Sequence, residues 1–145
     1  MTKHIGIVAC SAEGAALCYR TICLESQEQM GEDRHPDITM HTHCLGDYMK
    51  GIITGDWKEV ARLMLDSAWR VAGAGAHFVI CPDNTIHQAL PFVEARSPLP
   101  WLHIAACVAD EARARGFGRL GLTGTKWLVE SEVYPEKLAE RELGY

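Results

Sequence analysis

The stretch Phe78-Val79-Ile80-Cys81-Pro82-Asp83-Asn84-Thr85-Ile86-His87 most restricts what this chain can fold into. A short apolar run with β-branched residues predicts a buried strand, and Pro82 cannot donate to a ladder and so ends it. Asn84-Thr85 predicts the cap of a following helix. Asp83, Asn84 and Thr85 then fall at the carboxyl edge of a strand. In open α/β sheets ligands bind at that edge, where helix N-termini point free N–H groups and a positive dipole end.

The rest of the chain repeats this strand-to-helix grammar. Residues 4–10 predict a first buried strand, with Ser11-Ala12-Glu13-Gly14 turning into a helix whose apolar stripe runs from Ala15 to Leu24 and which Gly31 stops. Ile38 to Cys44 alternates and predicts a second strand. From Asp56 as N-cap, Trp57, Val60, Ala61, Met64, Leu65, Ala68 and Val71 recur at helical spacing up to Gly73. After the third strand, residues 86–94 predict a short helix interrupted by Pro91, and Ser97-Pro98-Leu99-Pro100 a rigid connector. Trp101 begins a further unit with a helix to about Gly116. Residues 119–123 predict another strand, and Gly124-Thr125-Lys126 opens a last helix. This alternation predicts an α/β fold, a mostly parallel sheet with helices on both faces. The connector divides it into a first domain, 1–95, and the beginning of a second similar one, 96–145, which stops where a βα pattern would supply its next strand. Sheet and helix surface left uncovered there needs a partner, which points to a homodimer.

Composition narrows the ligand class. With 145 residues, 48% of them hydrophobic, the chain can build a real core. No apolar stretch approaches the roughly 18 residues needed to span a bilayer, and the start lacks the pattern of a signal peptide, so a cytoplasmic protein is expected. A net charge of −5 with scattered basic residues shows no footprint for nucleic acid, leaving a small molecule as the expected partner. The six cysteines form no Cys-x-x-Cys pair, which predicts free thiols.

Three strand ends carry small polar groups: Ser11, Asp83-Asn84-Thr85, and Thr123-Gly124-Thr125-Lys126. Parallel strands would bring them to one edge, where hydroxyls, backbone N–H groups and a lysine suit a carboxylate or phosphate. His87, just beyond the turn, is placed to donate to such a ligand. His41 and His43 share one side of a strand, but no third donor follows at metal-ligand spacing, so no metal is assigned. The glycines of Ala72-Gly73-Ala74-Gly75 precede a strand rather than follow one, and Gly121 to Lys126 lacks Walker spacing, which excludes both nucleotide fingerprints.

Three segments together resemble the aspartate/glutamate racemase superfamily. Ile5 to Gly14 is similar to its opening glycine-rich strand and loop, Pro82-Asp83-Asn84-Thr85-Ile86-His87 to its Pro-Cys-Asn-Thr-Ala-His motif, and Leu120 to Lys126 to its Gly-Leu-Leu-Gly-Thr-Arg segment. The resemblance implies two α/β domains around a cleft. It implies an isomerase that racemises acidic amino acids or related small carboxylates without pyridoxal phosphate or any other cofactor, using one thiol from each domain. Asn84, Thr85, Ser11 and His87, with Thr123, Thr125 and Lys126, would hold the substrate. Two departures stand out. Asp83 occupies the first cysteine position, with Cys81 on the same side of an extended strand but about 7 Å away. No residue matches the second cysteine's Gly-Cys-Thr-Glu motif. An ordinary aspartate is a weaker base than a thiolate by about 4.6 pKa units, or roughly 6 kcal/mol. Single-thiol decarboxylases and isomerases of the same superfamily, and an inert carboxylate-binding module, fit these departures as alternatives.

Overall fold

The computed structural model describes residues 2–145. Four strands, β1 (Ile5–Ala9), β2 (Ile38–Thr42), β3 (Phe78–Ile80) and β4 (Trp101–Leu102), form one parallel sheet in the order β2-β1-β3-β4. The central strand is buried on both faces, with Ile7 and Val8 fully covered. That is why it carries a continuous apolar run instead of alternation. On one face Val8, Cys10, Val79 and Cys81 pack into the main core. On the other, Ile7, Ala9 and Ile80 meet Ala15, Cys18 and Ile22 of α1 (Ala12–Met30). Helices therefore cover both faces, as the sequence predicts. The predicted stripe on α1 is too broad, however: Leu17, Tyr19 and Leu24 are exposed.

The main core is closed by α2 (Leu45–Thr54) and α3 (Trp57–Gly73). α3 follows its predicted bounds, with the Asp56 carboxylate accepting from the Glu59 N–H at 3.1 Å. α2 was not evident from sequence, because two glycines lower its helix propensity. Gly51 has a packing reason: a Cβ there would lie 2.7 Å from Val60 Cγ2, so only glycine lets the two helices approach so closely. Gly55 then ends α2 at φ 71°.

Three predicted elements differ. The helix expected over 86–94 is a 3-10 turn (Thr85–Ala89), a single α-helical turn α4 (Leu90–Val93) and a second 3-10 turn (Glu94–Arg96). Pro91 does not interrupt a helix but opens one, in a first turn where a missing N–H costs nothing. The strand expected over 119–123 finds no sheet to join and is reduced to one parallel bridge, Arg119 with Gly144. The last helix is two short ones, α6 (Lys126–Val129) and α7 (Val133–Ala139), which follow α5 (Ile104–Ala114). β4 pairs with β3 beyond the connector. α5, α6 and α7 pack around two small clusters of their own, centred on Ala109 with Leu138 and on Ala105 with Leu128. Among the described residues no helix is long and apolar enough to cross a membrane.

Candidate active site at the carboxyl edge of the sheet

β1 and β3 pair in register, Gly6 with Val79 and Ile7 with Ile80, so the chain leaves β1 at Cys10-Ser11 beside the point where it leaves β3 at Pro82-Asp83. Ser11 caps α1, its Oγ accepting from the Gly14 N–H at 3.4 Å. Gly14 brings the first turn of α1 against the neighbouring strand end, since a Cβ there would lie 2.5 Å from the Pro82 carbonyl oxygen and 3.0 Å from Ser11 Oγ. Gly14→Ala should therefore destabilise the fold by about 1–3 kcal/mol despite alanine's higher helix propensity. Urea unfolding checks this; a stabilised variant would show that the close approach is not a constraint.

The turn after β3 is held by its own backbone. Asn84 sits at αR angles without capping anything; the Asp83 carboxylate instead accepts from the Ile86 N–H at 3.4 Å. The predicted Asn84-Thr85 cap is thus displaced by one residue, to the Asp83 carboxylate. The Asp83 carbonyl accepts from His87 Nδ1 at 2.7 Å, and His87 Nε2 accepts from the Ile104 N–H at 3.2 Å. His87 is 1% exposed, and burial pushes its pKa down to about 4, against the pull of the Asp83 carbonyl. Both ring nitrogens are engaged, so this neutral histidine ties the turn to the start of α5.

The flanking residues meet a second set from beyond the connector. Asn84 Oδ1 accepts from the Tyr134 hydroxyl at 2.7 Å, which leaves the amide NH₂ to donate elsewhere. Thr85 Oγ1 and Thr125 Oγ1 lie 3.4 Å apart, and Gln88 Nε2 donates to the Trp127 carbonyl at 2.8 Å. Thr123 is exposed. Lys126 Nζ stands 5.3 Å over the Trp127 ring, a cation–π contact. The structure thus gathers Ser11, Asp83, Asn84, Thr85 and Thr125 along one edge. Tyr134 and Gln88 are partners that sequence reasoning missed, since nothing in a lone tyrosine or glutamine announces a contact 50 or 39 residues away.

Two thiols lie beneath Asp83. Burial, then the charge of Asp83, raises the Cys10 thiol far above its ordinary range, and the wholly buried Cys81 thiol is raised by the same causes. Both are held protonated at neutral pH. Beside them, Tyr48 is fully buried, and its hydroxyl makes no hydrogen bond of good geometry among the described residues, the Ser67 side chain being the polar group at hand. Tyr48→Phe should be neutral or stabilising by up to about 2 kcal/mol, because it removes an unpaired buried donor. A loss above about 1 kcal/mol in chemical denaturation would reveal a hidden partner.

Two cavities flank the turn. The larger, about 630 Å³, lies on the His87 and His103 side, among Glu136 and Arg141, away from the Asp83 carboxylate. A more apolar one of about 520 Å³ is lined by Cys18, Ile80, Pro82, Asn84 and Leu102 and touches the turn itself. The second borders Asn84, whereas Asp83, Ser11, Thr85 and Thr125 line neither cavity.

Residues 5–145 match the Asp/Glu/Hydantoin racemase family. A candidate Asp/Glu racemase from Yersinia pestis shares the fold with a TM-score of 0.89 and 27% identity, over 99% of this chain and 64% of its own. An aspartate racemase homologue from Pyrococcus horikoshii gives a TM-score of 0.87 at 23% identity, over 99% of this chain and 63% of its own, a likeness of fold. The chain therefore spans less than two thirds of the length of either structure. With the match running over almost every residue and the motif edge assembled as described, the chain belongs to the Asp/Glu/Hydantoin racemase family.

Proposed function

We propose that this chain forms one acid–base half of a cofactor-independent amino-acid racemase site, acting on aspartate, glutamate or a related small carboxylate. The observation that carries it is the position of Asp83. It is the acidic group of the motif at the carboxyl edge, above two thiols held neutral by burial, and the motif's other ionisable group, His87, has both ring nitrogens engaged. In this reading the Asp83 carboxylate removes the Cα proton and becomes a carboxylic acid, and the electron pair passes into the substrate carboxylate as an ene-diolate. The Asn84 amide NH₂ and the hydroxyls of Ser11, Thr85 and Thr125 donate to that carboxylate as its charge grows. Return of the proton from Asp83 restores the starting enantiomer. Inversion needs a second acid on the opposite face, for which the family's Gly-Cys-Thr-Glu motif would serve and to which no residue of this sequence corresponds. The expected division at 95/96 belongs to the same proposal.

Proton NMR in heavy water, with both enantiomers of aspartate and glutamate, tests the reading, because exchange at Cα reports a single abstraction and needs no second acid. Loss of the Cα proton signal from at least one substrate is expected. Ligand-dependent thermal stabilisation without exchange would instead leave a carboxylate-binding module.

A further inference from the structure

Away from the Asp83 turn, the fold completes a donor set that sequence spacing left at two. His41 and His43, two residues apart, present their rings to the same side, centroids 5.0 Å apart and planes at 80°. They face α3, where Asp66 and Ser67 lie. One donor atom each from His41, His43 and Asp66 lies within 4.8 Å of the others.

Three details distinguish this group from a surface ion pair. His43 Nε2 stands 2.8 Å from Asp66 Oδ2, and this nitrogen is buried with no other partner among the described residues. His41 Nδ1 is bound to the fully buried Ser67 hydroxyl at 2.9 Å. In the tautomer whose Nδ1 donates to Ser67, the lone pair is left on Nε2, the outer-shell arrangement that orients metal-binding imidazoles. All three residues are half-buried, so they are ordered by the core yet reachable by an ion.

We propose that His41, His43 and Asp66 form a binding site for a divalent transition-metal ion of the zinc type, clamping the edge strand β2 to α3. Two imidazoles and one carboxylate are a borderline donor set, suited to zinc, cobalt or nickel over magnesium or calcium, and three protein ligands leave a fourth position for water. One cation competes: Arg70 Nε donates to Asp66 Oδ2 at 2.7 Å. Its guanidinium is exposed, an interaction of small worth that a bound ion would displace. Parallel pairing sets His41 beside Val8, so His43 continues the row occupied by Cys10 and Asp83, roughly 10 Å from Asp83 across two strand spacings. The site is separate from the racemase reading, and its test does not depend on turnover.

The test is a titration of the metal-stripped full chain with cobalt(II), followed by its visible absorption, and then with zinc(II), followed by thermal unfolding. One cobalt per chain with a nitrogen- and oxygen-ligand spectrum is expected, displaced by zinc, with a zinc-dependent rise in melting temperature. His43→Gln and Asp66→Asn should each weaken binding at least tenfold, whereas Arg70→Ala, which removes the competing cation and leaves all three donors, should tighten it several-fold. The proposal is overturned if no stoichiometric ion binds. It is also overturned if binding is unchanged in His43→Gln, or if a thiolate charge-transfer band appears that Cys44→Ser removes.

Discussion

Replacing His87 by alanine is expected to cost about 3–5 kcal/mol of folding stability. The substitution leaves the Asp83 carbonyl and the Ile104 N–H without their partners and opens a void at a position 1% exposed. The same residue sets a pH dependence. Its pKa is about 4 in the fold against an ordinary 6.5, so between those values the unfolded chain binds the proton and the folded one does not. Stability therefore rises with pH through this window and is lost on acidification from pH 6.5 towards 4, by an amount on the order of 3 kcal/mol. Urea unfolding across that range measures it, with His87→Gln as reference, because glutamine keeps a polar side chain and cannot titrate. The slope should be shallower in His87→Gln. A wild type that gains stability on acidification would mean that His87 is an imidazolium paired in the folded state.

The second large effect concerns the family position that this chain fills differently. Asp83→Cys should raise the rate of Cα exchange by roughly one to three orders of magnitude at pH 7. A thiolate exceeds a carboxylate by about 4.6 pKa units in basicity, and about 1.5 of these are lost because an ordinary thiol is mostly protonated at pH 7. Burial beside Cys10 and Cys81 would raise the new thiol further and reduce the gain, so the increase should be larger at pH 9 than at pH 7. Exchange rates over that range decide it. An unchanged rate at both values would show that proton abstraction at residue 83 does not limit exchange.

The sheet was legible because β1 and β3 are buried on both faces and therefore written as unbroken apolar runs. α3 was legible from its stripe and its Asp56 cap. α2 was hidden by Gly46 and Gly51, and at Gly51 intimate packing against Val60 overrides helix propensity. Residues 119–123 have strand-like chemistry, but a strand exists only where a partner is available, and among the described residues they make a single bridge, to Gly144. In the candidate site, the local run from Asp83 to His87 was readable as a strand end. The roles of its members were not, since His87 is defined by the distant Ile104 N–H and Asn84 by Tyr134. Lys126 is expected as an anion ligand from its place after the glycine loop, and its contact with the Trp127 ring is a tertiary one that spacing does not announce. Asp66 could not be tied to His41 and His43 from spacing, because the link runs between β2 and α3 through tertiary packing.

The central claim is that Asp83 abstracts the Cα proton. Its most direct test compares wild type with Asp83→Asn, which keeps the size and one acceptor oxygen of the side chain, by Cα deuterium exchange on whichever amino acid the wild type exchanges. Matched circular dichroism and melting curves establish that both proteins are folded. The account predicts exchange in wild type and a fall of at least about a hundredfold in Asp83→Asn. Exchange at the wild-type rate in folded Asp83→Asn would contradict it and move the base elsewhere on the sheet edge.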